Sequence, residues 1–289
     1  MTNILVVGPG AIGGVVAAWL AQDARHEVTV AARTPFDRLQ LDTPYGAVSA
    51  QPRVLTSPKQ ATSVDWVLVA TKAYDVAGAA AWFSSSLNDQ ARVAVLQNGV
   101  EHVQRFAPYL SAERIVPVMV DLPAERQSPG HIRQRSAGRM VVPAGAAGEA
   151  FVSLFANTKL SASTHEDFKT QVWQKLCLNC PGALSAVVQK PAVISRHDGV
   201  AQIMRGLIRE CIAVGRAEGA KLEDSIVEDV VTGQRQSPPD SVNSMLGDRI
   251  AGRQMEIDAR NGVIVRLGRQ HGIATPLNQM IVSMLEAVQ

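Results

Sequence analysis

Aromatic side chains are scarce in this sequence: phenylalanine, tryptophan and tyrosine make up 4% of its 289 residues. A surface that stacks nucleic-acid bases needs such rings, so their scarcity argues against one. A charge excess is also lacking. The net charge of +2 gives no reason to expect nucleic acid or an anionic membrane as a partner. The chain is instead 46% hydrophobic and 19% charged, a composition typical of globular proteins with a substantial core.

Cysteine is rare as well, with three residues, Cys177, Cys180 and Cys211. This small, odd number favours a reducing compartment over a disulfide scaffold. Cys177 and Cys180 form a C-x-x-C pair, but no second pair and no nearby histidine pair completes four ligands. We therefore expect buried structural thiols and no metal site. No signal-peptide pattern precedes the first apolar run, and that run contains glycines and a proline, so we expect a cytoplasmic protein without a membrane span.

The strongest motif is ILVVGPGAIGGVVAAWLAQ, residues 4–22. A buried-strand pattern, Ile4 to Val7, leads into glycines at G-x-G-x-x-G spacing and then into a helical run of small residues. This order predicts that backbone amides and a helix N-terminus bind the diphosphate of a dinucleotide. The alternative is a tight turn without a ligand. The residues expected at the cofactor are Gly8, Pro9, Gly10, Ala11, Ile12 and Gly13.

Apolar runs alternate with helical stretches through the first half of the chain. The predicted strands are Ile4–Val7, Val28–Ala32, Trp66–Ala70, Val93–Leu96 and Ile115–Val120, with Val48–Leu55 as a lesser strand and His131–Arg135 with Arg139–Val142 as a hairpin. The predicted helices between them are Val76–Leu87 and Val100–Tyr109. Continuous apolar strands alternating with helices predict a parallel sheet covered on both faces. With the glycine turn, this pattern indicates a Rossmann-type domain.

Helical periodicity replaces the strand pattern from about residue 162. The predicted helices are Phe168–Val188 with a break at Pro181-Gly182, Val200–Glu218, Glu223–Thr232, Met255–His271 and a last helix opening at Pro276. The predicted fold is therefore α/β, with an N-terminal Rossmann-type, mostly parallel sheet in residues 1–163 and a C-terminal all-helical domain in residues 164–289. We expect the first domain to bind a dinucleotide.

Arg33 follows the second predicted strand, where an acidic residue would bind the ribose 2′-hydroxyl of NAD. Its guanidinium suits a 2′-phosphate instead, so we predict NADPH, with Arg38 as a weaker candidate. The alternative is that Arg33 is a solvated surface residue.

Polar side chains follow two of the predicted strands, where open α/β sheets bind ligands. These are Lys72, after Trp66–Ala70, and Asn98, after Val93–Leu96. In the helical half, Lys175 and Asn179 share a helix face at i, i+4 spacing. Two of these residues have a structural alternative. Lys175 could lie on a solvated helix face, and Asn98-Gly99 could simply form a turn.

Two further polar residues, Ser244 and Glu256, follow in the helical half. As structural alternatives, Ser244 could cap a helix, and Glu256 could form a helix surface pair with Arg260.

The chain resembles the ketopantoate reductases (2-dehydropantoate 2-reductases) over essentially its whole length. The segments that carry the resemblance are GPGAIGG at 8–14, TKAYDV at 71–76, LQNGV at 96–100, VWQKLCLNC at 172–180, SML at 244–246, MEIDARNG at 255–262 and HGIATP at 271–276. The resemblance implies a Rossmann domain, a helical domain and an active site in the cleft between them. It also implies NADPH-dependent reduction of a 2-keto acid, with ketopantoate to pantoate in pantothenate biosynthesis as the first candidate.

The resemblance also implies a role for each matching residue. Lys175 matches the catalytic lysine, which serves as general acid, and Glu256 matches the glutamate that binds the substrate hydroxyl. Asn98 and Lys72 match residues near the nicotinamide, and Asn98 also faces the substrate. Asn179 and Ser244 match substrate-binding positions. Proteins of this layout often dimerise through the helices, so a homodimer is expected.

Three segments depart from the family pattern. Ala183 stands where a second asparagine is usual, residues 119–123 read MVDLP, and residues 189–191 read QKP. All three concern the expected substrate side, so two alternatives stay open. One is a 2-hydroxyacid dehydrogenase or reductase for another branched or aromatic keto acid, and the other is an NADPH-binding sensor without turnover.

Overall fold

The computed structural model describes all 289 residues and comprises two compact units, Met1–Phe168 and Lys169–Gln289. The first unit is built on a six-stranded sheet in which every neighbouring pair is parallel. In sheet order, the strands are β5 (Arg53–Leu55), β2 (His26–Ala31), β1 (Thr2–Val7), β6 (Val64–Val69), β7 (Leu87–Val95) and β8 (Ile115–Pro117). The predicted parallel sheet is therefore confirmed.

The sheet is covered on both faces, as its continuous apolar strands require. In β1, Ile4 and Val6 belong to one buried cluster and Leu5 and Val7 to the other, because successive side chains of a strand point to opposite faces. The α-helices of this unit are α1 (Ala11–Leu20), α2 (Val76–Ala80), α3 (Phe83–Ser86), α4 (His102–Phe106) and α5 (Ala146–Leu154), with short 3₁₀ helices at Pro58–Gln60 and Ala112–Arg114.

Two smaller sheets complete the first unit. One has the order β10 (Ala124–Ser128), β11 (His131–Gln134), β3 (Leu39–Thr43) and β4 (Gly46–Ala50); the other has the order β13 (Ser161–His165), β12 (Arg139–Pro143) and β9 (Met119–Asp121). Helix α1 packs against the four-stranded sheet, where the indole Nε1 of Trp19 donates a hydrogen bond of 2.9 Å to Gln134.

The predicted hairpin of His131–Arg135 with Arg139–Val142 is wrong. Its two strands lie in different sheets: β11 pairs with β10 and β3, whereas β12 pairs with β9 and β13. The predicted strand Val48–Leu55 likewise divides into β4 and β5, which lie in different sheets. Strand β13 continues to His165, so the expected domain boundary after residue 163 falls inside a paired strand.

The second unit is helical, as expected. Its α-helices are α6 (Phe168–Asn179), α7 (Ala183–Val188), α8 (Asp198–Ala217), α9 (Ile226–Gln236), α10 (Ser244–Ile250), α11 (Val263–Gln270) and α12 (Pro276–Ala287). Only the first residue of α6, Phe168, belongs to the first unit. 3₁₀ helices occupy Cys180–Gly182 and Ala192–Arg196, and a π-helical turn occupies Asp258–Gly262. The predicted helix Met255–His271 therefore begins later than expected, and its first turn is π-helical.

The predicted break at Pro181-Gly182 is confirmed, since α6 ends at Asn179 and α7 begins at Ala183. The three cysteines are buried and unbonded, as expected for structural thiols, with the Sγ atoms of Cys177 and Cys211 3.5 Å apart. None of the helices combines the length and the apolar character needed to cross a membrane.

Candidate functional site

The glycine turn between β1 and α1 uses its glycines for different reasons. Gly8 has a φ of +86°, and a Cβ there would lie 2.9 Å from the backbone nitrogen of Thr71. A Cβ on Gly13 would lie 2.3 Å from the carbonyl oxygen of Gly8 and 2.9 Å from the Cβ of Ala70. Gly8 and Gly13 are therefore required by the fold itself, for the turn and for close packing of α1 on the sheet.

Gly10 is less tightly constrained than Gly8 and Gly13. Its φ is negative, at −77°, and the nearest atom to a Cβ built there is a carbonyl oxygen 4.0 Å away. A side chain at this position would project into open space at the start of α1. The helix has no side-chain hydrogen bond at its N-cap and no acidic residue in its first turn. This geometry fits a diphosphate approaching the backbone at a helix N-terminus.

Arg33 lies near this turn because β2 is the parallel neighbour of β1. Val7 pairs with Ala31, and the amide of Gly8 donates a hydrogen bond of 3.1 Å to the carbonyl oxygen of Ala31. Arg33 follows two residues later and is exposed, as is Arg38. Its position matches the one expected for the residue that selects between the two dinucleotides.

The segments after β6 and β7 lie side by side at the same edge of the sheet as the glycine turn. The amide of Ala70 donates to Val7, and the amide of Leu96 donates to Val69, so the three strand ends are hydrogen-bonded to each other in order. Lys72 and Asn98 follow these strand ends, and both are partly exposed. The predicted convergence of Lys72, Asn98 and the glycine turn on one edge is thus what the sheet order produces.

Gln97 and His102 fix this edge, and the sequence pattern assigned them no role. The side-chain nitrogen of Gln97 donates to the hydroxyl of Thr71 (3.0 Å) and to the carbonyl of Lys72 (3.2 Å). His102 is buried and lies 2.8 Å from the carbonyl oxygen of Gln97, which can only accept, so Nε2 carries the proton. The pKa of His102 is lowered to about 4, chiefly by burial, although the hydrogen bond to Gln97 opposes this shift, so the ring is neutral at pH 7.

In the second unit, α6 carries Lys175 and Asn179 one turn apart on a partly exposed face. The same helix is anchored by Val172, Trp173 and Leu176, which are buried. Lys175 is thus held on a well-anchored helix with its side chain partly accessible, and the shared helix face of Lys175 and Asn179 is as their spacing predicted.

Ser244 is not the helix cap. Asn243 caps α10, because its Oδ1 accepts from the amides of Met245 and Leu246 at 3.1 and 3.0 Å. Ser244 is the first residue of the helix, and its hydroxyl oxygen accepts a hydrogen bond of 3.3 Å from Arg260. The side chain of Ser244 therefore has no capping role that would account for it.

Glu256 and Arg260 do not form the surface pair that was the alternative for Glu256. Glu256 precedes the π-helical turn, and both residues are buried, with 6% and 3% of their surfaces exposed. The carboxylate attracts the guanidinium, which counteracts the lowering of the pKa of Arg260 by burial. A buried carboxylate beside a buried cation is an arrangement that needs a structural or chemical reason.

Ala183, which stands where the family pattern has an asparagine, lies in the interior of the second unit. It is the first residue of α7 and is completely buried, with 0% exposure. It is therefore not exposed to solvent in this structure.

Comparison with known protein families matches both halves of the chain. The family described as "Ketopantoate reductase PanE/ApbA" matches residues 4–147, and its C-terminal counterpart, "Ketopantoate reductase PanE/ApbA C terminal", matches residues 167–289.

Individual relatives are similar over nearly the entire chain. A protein of Caulobacter vibrioides named 2-dehydropantoate 2-reductase is 56% identical over 287 residues, covering 99% of both chains. One of Mycobacterium tuberculosis with the same name is 39% identical and covers 99% of this chain and 97% of its own. Among solved structures, a PanE/ApbA family ketopantoate reductase from Ralstonia eutropha is 31% identical, covers 99% of this chain and 98% of its own, and superimposes with a TM-score of 0.91.

Proposed function

The chain belongs to the ketopantoate reductase (PanE/ApbA) family, and we propose that it reduces ketopantoate to pantoate with NADPH. The observation that carries this proposal is the 56% identity, over 99% of both chains, to a protein named 2-dehydropantoate 2-reductase. The open approach at Gly10 and the strand ends that carry Lys72 and Asn98 fit a nicotinamide dinucleotide on the first unit. Arg33 is assigned to the 2′-phosphate.

The chemistry assigns a task to each polar residue. NADPH, when bound, supplies the hydride that reduces the keto carbon. Negative charge then develops on the carbonyl oxygen, and the ammonium group of Lys175 stabilises this charge and donates the proton that completes the alcohol. The amide of Asn98 donates a hydrogen bond to the same oxygen or to the substrate carboxylate.

Three residues of the second unit orient the substrate. Glu256 accepts a hydrogen bond from the substrate hydroxyl. Asn179 lies one helical turn from Lys175, where its amide holds either the lysine or the substrate. The hydroxyl of Ser244 accepts from Arg260, which leaves its own proton to be donated to the substrate.

The test is NADPH oxidation by the purified protein with a panel of 2-keto acids. We expect kcat/KM to be highest for ketopantoate, above that for branched keto acids without the hydroxyl and for aromatic ones. Preference for one of the others would support the paralogue alternative. NADPH binding without oxidation across the panel would support the sensor alternative.

We also place the protein in the cytoplasm and propose a homodimer formed through the helical unit. Three unbonded thiols fit a reducing compartment. Helix α12 exposes Met280 and Met284, and Ile250 at the end of α10 is 62% exposed, so this unit presents apolar side chains that a second copy would cover. Light scattering of the purified protein tests the dimer: a monomer mass at micromolar concentration would rule it out.

A further inference from the structure

Arg260 is a buried cation with two defined hydrogen-bond acceptors. Its Nη2 donates to the backbone carbonyl of Asn179 at 2.8 Å, and its Nη1 donates to the hydroxyl oxygen of Ser244 at 3.3 Å. Its Nε is buried without a hydrogen-bond partner. Burying a guanidinium is costly unless its bonds and charges are matched, so its position calls for a reason beyond packing.

One reason lies at the end of α6. The last carbonyl groups of a helix lack partners inside it, and Pro181 supplies no amide hydrogen that could bond with them. The π-helical turn Asp258–Gly262 supplies donors instead: Arg260 bonds to the carbonyl of Asn179, and Nδ2 of Asn261 bonds to that of Cys180 at 3.1 Å. A cation is also favourable at this end of the helix dipole. Arg260 thereby fixes the end of the helix that carries Lys175.

A second reason lies at the start of α10. Asn243, the cap of this helix, donates through Nδ2 to the carbonyl of Gly182 at 3.0 Å, so the first turn of α10 is bonded to the bend after α6. Arg260 bonds to the neighbouring Ser244 from the π-helical turn. Because the hydroxyl oxygen of Ser244 accepts this bond, its proton is directed away from Arg260 and is available to another acceptor.

The third connection is to Glu256. This carboxylate lies four residues before Arg260 and attracts its guanidinium, as does Asp248. Arg260 lies in the π-helical turn that begins two residues after Glu256, and such turns are often found at functional positions. The guanidinium of Arg260 therefore interacts with three residues that are assigned to the substrate. It bonds to the backbone carbonyl of Asn179 and to the hydroxyl of Ser244, and it is attracted to the carboxylate of Glu256.

We propose that Arg260 is a positioning residue for the reduction, which holds the end of α6, the hydroxyl of Ser244 and the carboxylate of Glu256 in the arrangement that binds the keto acid. This inference rests on the proposed function. It is separate from the general acid, because Arg260 acts through the residues that it holds.

The kinetic test compares Arg260→Met, which keeps length and removes the charge, with Arg260→Lys, which keeps the charge and loses the fork of donors. We expect Arg260→Met to raise KM for ketopantoate about tenfold or more, as for loss of a charged hydrogen bond. Arg260→Lys should fall between this variant and wild type. The dissociation constant of NADPH, measured by fluorescence, should not change, because its assigned residues lie in the first unit.

Arg266→Met is the matched control. Arg266 pairs with Asp258 of the same π-helical turn at 3.2 Å but is 40% exposed at its side chain. This variant should keep KM and kcat. Wild-type KM and kcat in a folded Arg260→Met or Arg260→Lys protein would overturn the proposal, and Arg260→Lys covers the case in which Arg260→Met does not fold.

Crystal structures separate this inference from the proposed function. If wild-type protein did not oxidise NADPH with ketopantoate, the proposed function would fail. Arg260 would still be tested by comparing wild type with Arg260→Lys. A shifted Ser244 hydroxyl or a shifted bend at residues 179–182 would support the positioning role, and an unchanged arrangement would overturn it.

Discussion

The side-chain nitrogen of Gln97 lies 3.0 Å from the hydroxyl oxygen of Thr71, to which it donates a hydrogen bond across two adjacent strand ends. The same nitrogen donates to the carbonyl of Lys72, and Nε2 of His102 donates a hydrogen bond to the backbone carbonyl of Gln97. Thr71 in turn lies against Gly8, where a Cβ would meet its backbone. The segments that carry Lys72 and Asn98 and the glycine turn are thereby held as one rigid edge.

Gln97→Leu should loosen this edge. The substitution keeps the size of the side chain but removes both donated bonds, and leaving the partly buried acceptors unbonded costs about 1 kcal/mol or more of the free energy of unfolding. We also expect weaker NADPH binding, because Lys72 and Asn98 lose their common support. Urea denaturation and NADPH titration measure the two effects. Gln90→Leu, at an exposed position, is the control and should change neither.

The free energy of unfolding should fall in mild acid because His102 is buried and neutral in the folded protein. Its pKa is lowered to about 4 in the folded state from an ordinary value of 6.5. Between these values the unfolded chain binds a proton that the folded chain excludes, so the free energy of unfolding falls as the pH decreases from 6.5 towards 4. The shift corresponds to a loss of up to roughly 3 kcal/mol.

The measurement is urea denaturation of wild type and His102→Gln across pH 4–7. The variant should lose most of the pH dependence that this histidine causes, and His197→Gln, which changes an exposed histidine, should keep it. Equal slopes for wild type and His102→Gln would show that His102 is not the group responsible.

Alanine at Gly13 should lower the stability of the fold, whereas alanine at Gly10 should lower the affinity for NADPH. In Gly13→Ala the new Cβ meets the carbonyl of Gly8 at 2.3 Å, so we expect a loss of about 1–3 kcal/mol in the free energy of unfolding. In Gly10→Ala the Cβ enters open space, so the melting temperature should be retained while NADPH affinity falls.

Calorimetry and NADPH titration distinguish the two variants. Gly233→Ala is the control, because that glycine lies in α9 with nothing within 4 Å of a Cβ. Full NADPH affinity in Gly10→Ala would contradict the placement of the diphosphate.

Arg33→Asp should change the cofactor preference. Removing a charged bond to the 2′-phosphate and adding a negative charge should weaken NADPH binding by about 10- to 100-fold. NADH binding should change little or improve, since a carboxylate suits the 2′-hydroxyl. Titration of both cofactors gives the ratio. Arg38→Asp should have a smaller effect, and an equal or larger one would transfer the role to Arg38.

The sequence predicted those parts of the fold that are locally encoded. The strand, glycine turn and helix at residues 4–22 are contiguous, and apolar runs such as Trp66–Ala70 are recognisable because both faces of the sheet are covered. Strands β3, β10 and β13 were missed, because they have mixed polar and apolar residues and gain their order from distant partners. For the same reason β11 and β12 were paired wrongly: sequence proximity suggested a hairpin, whereas tertiary pairing separates them.

The candidate site shows the same limit. Lys175 and Asn179 could be placed on one helix face from their spacing alone. A surface pair of Glu256 with Arg260 was the alternative that the sequence left open, because i, i+4 spacing assumes an α-helix. In the structure Arg260 is buried within a π-helical turn and also bonds to Asn179 and Ser244, which lie 81 and 16 residues away in sequence. Such contacts leave no periodic signal.

The central claim is that Lys175 protonates the product alcohol of ketopantoate, and the most direct measurement is kcat of Lys175→Ala. We predict a loss of about 100-fold or more, the usual contribution of a general acid, with NADPH affinity retained. Lys159→Ala, at an exposed position before β13, is the control and should keep wild-type turnover. Near-wild-type kcat in a folded Lys175→Ala protein would contradict the account.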